Sequence, residues 1–94
     1  MTWRGHIVSD GVVQDLSYDP TNGICHLIIK DYSEGILNVS FAGVVSFSDA
    51  GAKGRSISNV SEVVSAGIAR IMLLDDDNEA LLDVSARSVT VTEQ

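Results

Sequence analysis

Three groups of side chains in this 94-residue sequence are of types that could do chemistry. Cys25 and His26 set a thiol beside an imidazole, the pair needed for a thiolate nucleophile and its base in acyl transfer. His6 and His26 are nitrogen donors of the kind zinc takes. Asp75-Asp76-Asp77-Asn78-Glu79 gathers four of the thirteen acidic residues into five positions, a set of hard oxygen donors that could hold calcium or face a basic partner.

Each group meets a physical objection. Cys25 and His26 lie in a β-rich run, and consecutive residues of a strand point to opposite faces, so thiol and imidazole diverge. Cys25 is expected as a small buried apolar residue and His26 on the outer face. Two histidines fall short of a zinc set, since the one cysteine is committed to the core, so no metal is expected. Asp75, Asp77 and Glu79 alternate as at the start of a helical calcium loop, but Ala80 stands where that loop needs glycine and Ala86 where it needs a bidentate glutamate. The acidic run is therefore expected as the solvated tip of a hairpin, because like charges this close repel unless water or a cationic partner surrounds them. No glycine-rich phosphate loop, no nucleophile motif and no basic-aromatic interleaving occurs, so neither an enzyme nor a cofactor is expected.

The elements that must position these residues follow from pattern. Val12 to Tyr18 and Ile24 to Asp31 are β-rich runs joined by Asp19-Pro20-Thr21-Asn22-Gly23, a turn sequence with preset φ at Pro20 and cheap positive φ at Asn22-Gly23. Val12, Leu16 and Tyr18 are expected on one face of the first strand, and Cys25, Leu27 and Ile29 on one face of the second. After the turn Tyr32-Ser33-Glu34-Gly35, apolar residues alternate through Leu37, Val39, Phe41, Gly43, Val45 and Phe47, a long strand expected to bend at Gly43. Asp49 to Ser58, with Lys53 and Arg55, reads as a mobile solvated loop and the most basic patch of the chain. Asn59-Val60-Ser61-Glu62 reads as a capping box opening one short helix, with Val60, Val63, Val64 and Ile68 on one face and Gly67 as its stop. Ile68 to Leu74 and Leu81 to Ala86 flank the acidic run as a second hairpin, followed by a terminal strand through Val89 and Val91.

The whole predicts one mainly β domain over residues 1–94, an antiparallel sandwich or partial barrel of six or more strands with one short helix. Six basic against thirteen acidic residues give a net charge of −7, which disfavours nucleic acid and anionic membranes and favours a basic protein partner. No run approaches the ~20 apolar residues of a membrane span, no secretory signal leads the chain, and one cysteine precludes an internal disulfide, so a cytoplasmic location is expected. Trp3 stands apart from the other aromatic residues, either capping the core edge or anchoring a partner beside the acids Asp75, Asp76, Asp77 and Glu79.

From Val12 to Asp49, the order Leu16-Ser17-Tyr18-Asp19, Leu27-Ile28-Ile29 and Val39-Ser40-Phe41-Ala42-Gly43-Val44 resembles the β-rich immunity proteins of bacterial polymorphic toxin systems. That resemblance implies a cytosolic inhibitor that binds a toxin domain and blocks its active site. The alternatives are a homodimeric assembly module and, further off, a small enzyme or ligand-binding barrel with carboxylates inside a curved sheet.

Overall fold

A computed structural model describes residues 11–31 and 35–93. Trp3, His6 and the Tyr32-Ser33-Glu34 turn lie outside the described residues. Six strands, β1 (Val12–Asp19), β2 (Ile24–Lys30), β3 (Ile36–Asp49), β4 (Asn59–Ser65), β5 (Ile68–Leu74) and β6 (Ala80–Glu93), form one antiparallel sheet in the order β1-β2-β3-β6-β5-β4. The order is mirrored about the β3–β6 pair: each half has two short strands followed by one of 14 residues. β2 pairs with β3 only as far as Ala42, and β5 pairs with β6 only as far as Ala86, so each long strand serves two parts of the sheet.

The sheet curls until its ends meet. Val13 N–H donates to the Arg55 carbonyl (3.0 Å), Gly54 N–H to the Val13 carbonyl (2.8 Å) and Ile57 N–H to the Gly11 carbonyl (2.8 Å), while Val12 bridges Ser56. The segment leading into β4 therefore seals the edge of β1, and the expected partial barrel results. Pairing this edge with backbone also removes a template for aggregation. The interior is apolar: Cys25, Leu27 and Ile29 from β2, Leu37, Val39 and Phe41 from β3, Ile71 and Leu73 from β5, and Leu82, Val84 and Ala86 from β6 are buried, with no buried polar or charged side chain among the described residues.

Several sequence expectations are corrected. The predicted short helix does not form: Asn59–Ser65 is β4, in register with β5 from Asn59↔Leu74 to Ser65↔Ile68. β-Branched Val60, Val63 and Val64 suit a strand, and Ala66 and Gly67, at φ 53° and 77°, close a two-residue hairpin rather than stop a helix. Val12 does not share a face with Leu16 and Tyr18. Gln14 is an extra residue between Val13↔Ile29 and Asp15↔Ile28, so Val13 is buried and Val12 exposed.

The alternation of β3 also loses phase. Buried Phe41 and core-packed Val44 are three positions apart, so the phase changes across Gly43 and leaves Val45 exposed. A bulge between Val44 and Ser46 changes it again, so Phe47 packs on the core and stacks on Tyr18 with ring centroids 4.2 Å apart. Gly43, where a bend is expected, takes φ 64° within an unbroken strand. Nor is Asp49–Ser58 merely a solvated connection. Ala52 and Ile57 are fully buried, and the Asp49 carboxylate accepts the N–H groups of Gly51 (3.0 Å) and Ala52 (2.8 Å), fixing the start of the segment.

Candidate functional site: the acidic hairpin turn

The acidic run joins β5 to β6 as the predicted hairpin tip, but its four acids do different things. Asp75 is turned inward. Its Oδ1 accepts the N–H groups of Asp77 (2.9 Å) and Glu79 (3.0 Å), while its backbone closes the turn through Asp75 N–H to the Glu79 carbonyl (2.9 Å) and Asn78 N–H to the Asp75 carbonyl (3.0 Å). Asn78 takes φ 60°, a conformation asparagine tolerates better than most residues. The second Asp75 oxygen lies 3.8 Å from Arg55 Nη2. Half-buried Asp75 is thus the frame of the turn, and Asp76, Asp77 and Glu79 are exposed around it.

Arg55 arrives from the segment that seals β1. Ser58, two residues before the β4 valine Val60, donates its hydroxyl to the Asp76 carboxylate. A polar cleft of about 380 Å³ results, lined by Gly54, Arg55, Ser56, Asp75, Asp76 and Asp77. The sequence marked both the acidic turn and the basic loop but not their contact. Arg55 and Ser58 are the residues that reading missed, and the opposed charge of the two segments was the signal for it. Lys53 is likewise paired, with Asp15 at 3.4 Å, so the basic patch is largely neutralised by local acids.

The remaining candidates are not brought together. Cys25 is fully buried, and burial, with a lesser contribution from the Asp49 carboxylate, pushes its thiol up to about 11. His26 projects from the opposite face, where Nδ1 lies 3.2 Å from the Ser40 hydroxyl. Among the described residues no group of three or more His, Cys, Asp or Glu side chains is disposed to hold a metal ion. Asp75 already commits one oxygen to two N–H groups and the other to Arg55, which leaves the turn's central carboxylate poorly placed for a cation. Trp3, the other residue expected at a partner surface, lies outside the described residues.

Other polar groups hold turns. Asp19 Oδ2 accepts from Asn22 Nδ2 (2.7 Å) and Oδ1 from Thr21 N–H (3.0 Å), and the Asn22 side-chain bond lowers its carboxyl below the ordinary value. Arg70 spans β5 and β6 to Asp83 in a two-point contact of 3.0 and 2.7 Å, which raises its own pKa. Among the described residues no helix is long and apolar enough to cross a membrane.

No described protein family matches the chain, and no curated protein sequence does. The fold is shared with the crystal structure of an uncharacterized protein from Neisseria gonorrhoeae, at a TM-score of 0.67 and 12% sequence identity over 90% of this chain and 92% of that one. This likeness is one of fold alone.

Proposed function

We propose that the chain is a small acidic binding protein that engages a basic protein partner through the β5–β6 turn, in the manner of an immunity-type inhibitor. The observation that carries this reading is the division of labour within the turn. Asp75 organises the backbone from inside, so Asp76, Asp77 and Glu79 are held outward on a braced frame rather than on a floppy loop. Preorganised surface charge gives faster encounter with a cationic partner and less ordering entropy to lose on docking.

The apolar interior supports a surface role over a ligand-binding barrel, since a small-molecule site needs convergent polar groups within a pocket. A cytoplasmic inhibitor is the form of this role that the likeness to immunity proteins favours. The test is capture of basic proteins from the native host, followed by association kinetics at several salt concentrations. The reading requires an association rate that falls with salt and falls again in an Asp76→Asn/Asp77→Asn/Glu79→Gln variant. Binding indifferent to both would refute it.

A further inference from the structure

A second surface lies at the far end of β5, where the β4–β5 hairpin turns. A groove of about 400 Å³ runs beside it, lined by Glu62, Val64, Gly67, Ala69, Arg87 and Val89, with Ser88 at its side. The register puts Glu62 opposite buried Ile71 and Val64 opposite Ala69, so both stand on the inward side of the sheet, yet Val64 is 67% exposed. An apolar surface on the inner side of a sheet normally meets a covering element. Among the described residues none covers it, and β4 has no strand on its outer side along Asn59–Ser65.

The charges in the groove are distinctive. Arg87 is held over Gly43, where a Cβ would come within 3.0 to 3.2 Å of its stem, so its guanidinium is presented from a fixed base. Lys53, Arg55 and Arg70 are each paired with a carboxylate, and Lys30 also has a partner. Arg87 is the described cation with no hydrogen bond or ion pair, and Glu62 across the same groove has none either.

We propose that this groove is a two-fold self-association surface, onto which a second copy of the chain docks its β4–β5 hairpin so that Glu62 of each copy meets Arg87 of the other around Val64. The occupant follows from the sign of the charges. A patch offering only one sign selects a foreign partner, whereas one carrying an unpaired carboxylate and an unpaired guanidinium is complementary to itself when turned about a two-fold axis. The net charge of −7 on each copy opposes association in general, but not strongly here. β5 separates the groove from the acidic turn by roughly 20 Å at about 3.3 Å per residue, more than twice the ~8 Å screening length at physiological salt. The acidic turn stays free for another partner, so the two surfaces act independently.

Sedimentation velocity from micromolar to millimolar concentration tests the proposal on the full chain. The wild type should show a reversible monomer–dimer equilibrium. Glu62→Arg alone and Arg87→Glu alone should each weaken it at least about tenfold, since each sets like charges face to face. Mixing the two variants should restore a dimer, now heterodimeric, because one then offers two cations and the other two carboxylates. Both residues are at the surface, and circular dichroism on each variant checks that the fold is kept. A wild type monomeric throughout, a dimer unmoved by the single reversals, or a mixture that does not recover association would each overturn the proposal.

Discussion

The aliphatic stem of Arg87 lies across the backbone of Gly43, so close that a Cβ on Gly43 would sit 3.0 Å from the Arg87 Cβ. Gly43 also takes φ 64°. Space and conformation therefore both demand glycine at the midpoint of the central β3–β6 pair, and Gly43→Ala should cost on the order of 2 kcal/mol through the left-handed penalty plus displacement of β6. Urea unfolding measures it. A loss below about 0.5 kcal/mol would mean that the two strands part without strain.

Asp75 and Asp77 are two residues apart and should behave differently. Asp75→Ala removes the acceptor for two turn N–H groups and the partner of Arg55, and should cost about 1–2 kcal/mol of stability. Asp77→Asn should change stability by less than about 0.5 kcal/mol, while slowing association with a basic partner. Thermal unfolding of the two variants, run beside the association kinetics, separates the frame of the turn from its charge.

Ile57 sits in the segment that seals β1 and is fully buried. Ile57→Ala should cost about 2–5 kcal/mol, the range of a large-to-small core change, whereas an equivalent truncation in a solvated loop costs almost nothing. Equilibrium unfolding distinguishes the two outcomes directly.

The Cys25 thiol is pushed up to about 11 from an ordinary 9.0. The folded chain then holds its proton where the unfolded chain releases it, so the Cys25 contribution to stability should be constant below about pH 9 and decline as pH rises from there towards 11. Cys25→Ala should flatten that decline. A thiol reagent at neutral pH should label the wild type at the rate of unfolding, not at the rate of a free thiol.

Much of the architecture was legible because local signals agreed with it. Asp19 to Gly23 closes a hairpin by backbone chemistry, Cys25-Leu27-Ile29 and Leu37-Val39-Phe41 keep a period of two, and the acidic run had nowhere to go but a turn. What failed to show were the bulges. Gln14 and Val45 look like any other strand residue, yet each moves its neighbours to the opposite face, since one inserted residue reverses a period of two. The β4 strand was misread for a related reason: on an edge strand with little burial, Val60, Val63 and Val64 carry no alternation, and together with Ile68 at the start of β5 their spacing mimics a helical stripe. In the candidate site, the acids were visible and their arrangement was not. That Asp75 turns inward to Arg55 depends on a segment 20 positions earlier folding back, which no local pattern encodes.

The mirrored strand order also bears on how the chain reaches its fold. Each set of three strands, β1-β2-β3 and β4-β5-β6, is a meander whose pairings are close in sequence and form early for little loop-closure entropy. The ladder that unites them joins Leu37 to Glu93 and Asp49 to Leu82, contacts of far greater separation. Closure of the β3–β6 ladder is then expected to limit the folding rate, and Gly43 and Arg87, at the middle of that ladder, stand where it closes.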